Sequence, residues 1–322
     1  MKILYQPHAY SQQRQKEKKR RIYPVRLAME CEWYRKQVLS KKPYRVIHEV
    51  DWDVKPLKLY DKVIREPEQL PLQDLFAPDR IFTKAFSYTS GNYKHLPGTH
   101  ILSAVGCWWG KCSFCVEKEE YQVRRLTSVI SEIAQCKRLG FREIFDDAAT
   151  FPLHWLDDFC YCLRLIKIPF SCNMRLMDLD YGKLKRSGFR MLLYGIESAN
   201  QETLDRINKG TKESDIKYLK EAAKAGLEPH GAFMFGYPWE TDKDAKRTLK
   251  LALYLLRKGY IKTAQASFYT PPDNNNNPKH KKYVKKIYNI GFNPEFWYRT
   301  IKSIKTMDDV RYILRGIKEW LS

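Results

Sequence analysis

Three cysteines fall within nine residues, in Cys107-Trp108-Trp109-Gly110-Lys111-Cys112-Ser113-Phe114-Cys115. Thiolates are soft ligands that suit zinc, copper(I) and iron–sulfur centres, so this spacing offers a metal site. A zinc ion would call for a fourth protein ligand. The nearest candidates, His95, His100 and His154, stand at no finger-like spacing from the loop. Three thiolates alone suit a cubane cluster whose fourth iron stays open to another ligand. Structural zinc and unligated thiols in a reducing cell are the alternatives.

Such a loop has to be held by regular elements on both sides. Upstream, His100 to Val105 is an apolar run that reads as a strand entering the loop through Gly106. Downstream, Val129, Ile130, Ile133 and Ala134 give one apolar face to a helix over 123–139, closed by Gly140. The chain then alternates. Further strands are predicted at 141–145, 170–175, 189–194, 230–235 and 263–269, and helices at 153–166, 181–187, 202–207, 212–225 and 242–258. Thr241 can cap the last helix and Gly259 can end it. Six strands separated mostly by helices are the pattern of parallel βα units, so the fold class is α/β.

The cysteine loop resembles the cluster-binding loop of the radical S-adenosylmethionine superfamily, whose common pattern is Cys-x3-Cys-x2-Cys with an aromatic residue before the last cysteine. Phe114 fills the aromatic place; the first gap is four residues, Trp108 to Lys111, instead of three. Other motifs follow in the family's order. Asp146-Asp147 comes after the second strand, Arg175 after the third and Gly195-Ile196-Glu197-Ser198 at the fourth. Gly236-Tyr237-Pro238-Trp239-Glu240-Thr241 follows the fifth. The resemblance covers about residues 95–275 and is closest to the class that often carries an N-terminal cobalamin domain. It implies a partial (β/α)6 barrel, an open relative of the TIM barrel, with its chemistry at the C-terminal strand ends.

The resemblance also implies roles. Cys107, Cys112 and Cys115 would ligate three irons of a 4Fe–4S cluster. The open iron would take the amino and carboxylate groups of S-adenosylmethionine, whose reductive cleavage gives a 5′-deoxyadenosyl radical. The implied cofactor-binding residues begin with Phe114 beside the adenine and with Asp146 and Asp147, orienting cofactor or substrate. Arg175 would reach the methionine carboxylate, and Glu197 and Ser198 the methionine ammonium or the ribose. Gly236 and Pro238 would shape the backbone near the adenine, while Glu240 and Thr241 look like structural capping. No catalytic side chain beyond cluster and cofactor is identified. An external one-electron reductant such as flavodoxin or ferredoxin would serve as partner.

Three domains are expected. Residues 1–95 read as a small α/β extension with a strand at 2–5, a helix at 23–37, a strand at 46–50 and an irregular stretch to 87. This region resembles a shortened cobalamin domain without the Asp-x-His-x-x-Gly motif, and neither His8 nor His48 fits that motif, so no cobalamin is expected. Residues 96–277 form the barrel. Residues 278–322 form a basic, mostly helical tail, best at 307–320, with no cysteine for a second cluster. Cys136, Cys160, Cys162 and Cys172 are expected as core thiols, and Cys31 is undecided.

The 322 residues suffice for one large domain with an extension. Net charge is +21, with six bases and one acid in residues 12–21 and eleven bases and four acids in 278–322. Such charge attracts polyanions. A modified nucleic acid or a phosphate-bearing metabolite is therefore the leading substrate, undergoing rearrangement, epimerisation or bond formation. The alternatives are a peptide or neutral small metabolite, and a zinc-stabilised nucleic-acid-binding protein without catalysis. There is no signal-peptide pattern and no apolar stretch long enough for a membrane span. The eight cysteines lack the spacing of a disulfide scaffold. A reduced, cytoplasmic protein without a membrane partner is expected.

Overall fold

The computed structural model describes residues 3–5, 62–64, 77, 80, 91, 93–115, 119–270 and 276–321. Two short strands, β1 (Ile3–Tyr5) and β2 (Lys62–Ile64), pair in parallel. β1 matches the predicted strand at 2–5. β2 falls in the stretch predicted as irregular, because Val63 and Ile64 are too short a run for any alternation to show. The predicted helix at 23–37, the predicted strand at 46–50, Cys31, His8 and His48 lie outside the described residues.

β3 (Gly98–Ile101) begins the main sheet. It stops sooner than the sequence predicts. After a turn at Leu102-Ser103, β4 (Ala104–Val105) leaves the sheet and pairs antiparallel with β5 (Gln122–Val123). The cysteine loop is thus an excursion closed at its neck by this two-residue ladder. The sheet continues with β6 (Glu143–Asp146), β7 (Phe170–Met174), β8 (Phe189–Glu197), β9 (His230–Phe235) and β10 (Thr263–Phe268). Its strands lie in chain order, each parallel to the next. The sheet curls into an open partial barrel whose two edge strands are β3 and β10.

The crossovers carry α1 (Leu126–Arg138), α2 (Leu156–Ile166), α3 (Tyr181–Ser187), α4 (Gln201–Arg206), α5 (Lys217–Lys224) and α6 (Asp242–Lys258). Their apolar faces cover the outer face of the sheet. Phe151, Phe159, Phe170 and Phe189 meet there, with ring centroids 4.8 to 6.1 Å apart. Each such pair contributes roughly 0.5–1.5 kcal/mol beyond its burial. Cys136, Cys160 and Cys172 are buried in this core as expected, while Cys162 is only half-buried. Because every crossover returns the chain in the same direction, all six C-terminal strand ends share one edge.

The tail forms α7 (Lys281–Tyr288), α8 (Pro294–Lys302) and α9 (Met307–Leu321). α7 packs on β9 and β10. Asp308 and Asp309, opening α9, pair with Arg142, His95 and Lys94 at the opposite, N-terminal edge of the sheet.

Candidate active site

The neck of the cysteine loop is fixed by one carboxylate. Asp146, at the end of β6, is fully buried; its Oδ1 accepts the Ser103 N–H at 2.9 Å, and its Oδ2 accepts the Ser103 hydroxyl. These bonds turn the chain out of β3. Burial pushes the Asp146 carboxyl up to about 6, against the pull of the Ser103 hydrogen bonds. Beyond the neck, Gly106 has φ of +67°, and a Cβ there would lie 2.5 Å from the Glu119 carbonyl oxygen, so only glycine fits.

The loop then docks on the turn after α4. Ser113 N–H donates to the Ile207 carbonyl at 3.0 Å, and the Trp109 indole donates to the Asn208 carbonyl at 2.8 Å. Gly210, with φ of +65°, faces the Trp109 ring so closely that a Cβ would approach to 2.1 Å.

Three charged side chains meet the loop. The Arg175 guanidinium, just past β7, lies 4.6 Å from the Trp109 ring centre and 5.3 Å from that of Trp108. It donates to the Lys209 carbonyl and reaches the Cys112 sulfur. Burial lowers the Arg175 pKa, opposed by Cys112 and Cys107. Burial raises the Cys112 thiol, opposed by Lys209 and Arg175. Glu197 ends β8 after a register shift between Gly195 and Glu197. Its φ of +63° is a conformation that costs a non-glycine residue about 1–2 kcal/mol. Its Oε1 accepts from Lys209 Nζ at 2.8 Å, and that Nζ stands 5.7 Å over the Phe114 ring. A Cβ at Gly195 would lie 2.3 Å from Glu197 Oε1, so glycine makes room for the pair.

A wall of aromatic residues completes the edge. Gly236, with φ of +91°, turns the chain after β9 and gives its N–H to Glu240 Oε2 at 2.7 Å. Tyr237 then stacks on Trp239 at 5.5 Å and meets Tyr269 at 5.0 Å, with Phe114, Leu204 and Ile207 in the same cluster. Pro238 is half-buried in this turn. The Tyr237 hydroxyl and the Trp108 indole N–H are buried with no hydrogen-bond partner. Thr241 caps α6 through a reciprocal box with Asp244, as expected. Glu240 does more than cap, holding Gly236 and also His280 at 2.8 Å.

The edge therefore gathers Cys107, Cys112, Cys115, Phe114, Arg175, Glu197, Gly236 and Pro238. Three other predicted site residues point elsewhere or lie apart. The Asp146 carboxyl is spent on Ser103. Asp147 is exposed, with its N–H on the Ile101 carbonyl. The Ser198 hydroxyl is buried behind β8 among Thr248 and Asn200. The sequence also missed Lys209 and the Tyr237–Trp239–Tyr269 group. The one available signal was the turn-forming Asn208-Lys209-Gly210, with positive φ at its first and last residues.

The donor set can be tested against the metals it invites. Cys107, Cys112 and Cys115 are half-buried free thiols, and Cys112 has two cations beside it that favour thiolate. Among the described residues no three Cys, His, Asp or Glu converge on a point that one metal ion could occupy. A single tetrahedral zinc needs such convergence, whereas thiolates on a cubane each take a different iron. The histidines considered for zinc are engaged elsewhere, His95 with Asp308 and His100 with Tyr93, while His154 packs beside Trp155. The three thiols, with Lys209 and Arg175 beside Cys112, offer the soft donor set that a cluster would use.

Residues 101–252 match the family model described as the Radical SAM superfamily. An uncharacterized methyltransferase of Pyrococcus horikoshii is 37% identical over 186 residues, covering 53% of this chain and 39% of the relative. The bacteriochlorophyllide d C-12(1)-methyltransferase of Chlorobaculum tepidum is 23% identical over 268 residues, covering 78% of this chain and 56% of the relative. The solved structure of a radical S-adenosylmethionine methyltransferase, TsrM, from Kitasatospora setae superposes with a TM-score of 0.48 at 18% identity. It covers 63% of this chain and 37% of that one. The chain thus spans 39% to 56% of the length of these two curated relatives. No helix among the described residues is long and apolar enough to cross a membrane.

Proposed function

We propose that the chain is a radical S-adenosylmethionine enzyme, as the match of residues 101–252 to that superfamily's model supports, and that it starts radical chemistry on a small organic metabolite. When bound, the 4Fe–4S cluster and S-adenosylmethionine supply reductive cleavage of a sulfonium and a carbon radical that abstracts hydrogen from substrate. The observation that carries the proposal is the meeting of the three-cysteine loop, Arg175, the Glu197–Lys209 pair and the Gly236 turn at one barrel edge.

The chain's own residues divide the work. Cys107, Cys112 and Cys115 hold three irons as thiolates. Arg175, packed against Trp109 and bonded to Cys112, fixes the loop's orientation and leaves its remaining N–H groups for a carboxylate. Glu197 would accept an N–H of the cofactor's amino group at the oxygen to which Lys209 Nζ donates. Phe114 and the Gly236–Pro238 backbone pack beside the adenine, and Tyr237 with Trp239 keeps water out. Asp146 and Ser198 act as positioning residues, one for the neck of the loop and one for the end of β8. Asp147 lies exposed on the rim. The barrel from residue 96 to 277 is the unit that does this work, with the residues before and after it as supports.

The polyanion reading gives way to this one. The relatives whose printed names state a substrate act on bacteriochlorophyllide d, a small organic molecule. Methyl transfer is a second reading, favoured by the printed names of the relatives. Anaerobic reconstitution followed by reduction with S-adenosylmethionine tests the proposal. About four irons and four sulfides per chain, with methionine and 5′-deoxyadenosine released, are expected. Stoichiometric zinc with no cleavage would overturn it. Cobalamin added during reconstitution and retained by the chain would move the reading toward methyl transfer.

A further inference from the structure

A cavity of about 740 Å³ opens below the reacting edge, between the lower inner face of the barrel and the three tail helices. Its walls are mostly apolar and aromatic: Met191 from β8, Phe296 and Trp297 from α8, Tyr312 and Ile317 from α9. The size falls in the range that encloses one small organic molecule. Beside the hydroxyls of Thr263, Thr300, Tyr288 and Tyr312, its other ionisable groups are all basic. His230, Lys262, Lys285 and Arg315 line it, and no Asp or Glu does among the described residues. Two of these groups have buried nitrogens without a hydrogen-bond partner, His230 Nε2 and Arg315 Nε. The other His230 nitrogen, Nδ1, is 2.8 Å from the Thr263 hydroxyl. With that hydroxyl donating, Nε2 carries the proton and can donate. Arg315 Nε can only donate. Buried donors are rarely left unmet.

The cavity shares strands β8, β9 and β10 with the edge above it. His230 begins β9 and Met234 lies four residues along the same inward-facing row, about 13 Å higher at the strand rise of ~3.3 Å per residue. Between them on this row stands Ala232, and the space over its β8 neighbour Gly195 is taken by the Glu197–Lys209 pair. Gly195 pairs with Ala232, and Ala232 with the exposed Gln265. A molecule anchored at His230 and Arg315 would have its far end toward the cysteine edge, on the side of Ala232.

We propose that this cavity takes a flat, largely apolar molecule bearing a carboxylate, and that such a molecule is the substrate class of the site above it. The second half of this statement rests on the radical reading of that site, whereas the first stands on the cavity alone. Aromatic walls stack a planar ring system. The unmet N–H groups and the acid-free lining select an anionic substituent.

Two fluorescent probes of matched shape test it, pyrenebutyrate and its neutral analogue pyrenebutanol, titrated into the full chain. One pyrenebutyrate should bind per chain, at least about tenfold more tightly than pyrenebutanol, a difference within the reach of charge-assisted hydrogen bonds. His230→Leu should cut pyrenebutyrate affinity about tenfold and leave pyrenebutanol unchanged. Thr300→Trp, placing a large ring in the cavity, should abolish both. If either variant fails to fold, Lys285→Gln, at an exposed lining position, should still weaken only pyrenebutyrate, by about threefold. Equal affinity for the two probes, or binding indifferent to these changes, would overturn the anion-selective cavity. In the reconstituted enzyme, bound pyrenebutyrate should change the yield of 5′-deoxyadenosine by at least about threefold. An unchanged yield with binding intact would overturn the substrate assignment alone. Failure of cluster assembly would count against the radical reading and leave the cavity's selectivity standing.

Discussion

The two edges of one sheet are finished differently. At the N-terminal edge charges are matched in a continuous chain. Arg190 joins Glu143 at 2.6 Å and Glu228 at 2.7 Å, and Lys94 joins Glu228 at 2.7 Å and also Asp309 of the tail. Burial would raise Glu228, but Arg190 and Lys94 outweigh it and hold its carboxyl low. Burial would likewise lower Arg190, and its two carboxylates outweigh that. At the C-terminal edge three thiols, a strained glutamate and a lysine meet a tyrosine hydroxyl and an indole N–H that have no partner. Buried polar groups are normally satisfied within the fold. The ion-paired cluster of Arg190, Glu143, Glu228 and Lys94 therefore serves stability, whereas the unmet polar groups of the C-terminal edge, like those of His230 and Arg315 in the cavity, suit ligands.

Substitutions can break that contrast, starting with the largest effect. Cys107→Ala, Cys112→Ala or Cys115→Ala should abolish 5′-deoxyadenosine formation while the metal-free protein keeps its melting temperature. Arg190→Met, at the other edge, should cost about 3–5 kcal/mol, because it leaves Glu143 buried without its cation and Glu228 with Lys94 alone. Urea unfolding reads that loss, and the fraction still folded should load iron normally. Loss of loading per folded chain would mean that the edges are not separable.

Asp146 sharpens the comparison, because it lies at the incomplete edge yet serves the fold. Its carboxyl is raised from an unfolded value of 3.8 to about 6 by burial, so the native state binds the extra proton between those values. Its contribution to stability is fully present below pH 3.8 and is lost as pH rises through 6. The linkage amounts to about 3 kcal/mol. Asp146→Asn should remove that slope from unfolding curves taken between pH 4 and 7. A variant with an undiminished slope would show that the carboxyl is not held this way.

The smallest expected effect concerns the Glu197–Lys209 pair. Glu197→Gln should weaken S-adenosylmethionine binding about tenfold, the scale of one lost charge-assisted bond. Lys209→Met, which removes the competing cation, should tighten it a fewfold. Calorimetry on the reconstituted protein separates the two. Weakening in both variants would make Lys209 a binding residue and not a placeholder.

Much of this was legible in the sequence where local signals were strong. The helix Asp242–Lys258 was fixed by Thr241 at one end and Gly259 at the other, and the strand His230–Phe235 by its apolar run. The three cysteines, Arg175 and Glu197 could be placed because each closes or follows a strand. What escaped depended on contacts distant in sequence. β3 ends early because Ser103 is drawn to Asp146, forty-three positions away, and nothing in His100 to Val105 records that pull. Lys209 reaches Glu197 through a turn with no periodicity. The chain from Lys94 through Glu228 to Asp309 spans most of the protein, and charge patterning along one helix cannot show it.

The central claim is that the open position left by three cysteines faces Glu197 and takes the cofactor's amino group. Electron–nuclear double resonance on the reduced, reconstituted protein with S-adenosylmethionine labelled by nitrogen-15 at that amino group tests it most directly. A nitrogen-15 coupling to the cluster that disappears in Cys112→Ala is the predicted result. A cluster signal identical with and without labelled S-adenosylmethionine would contradict it.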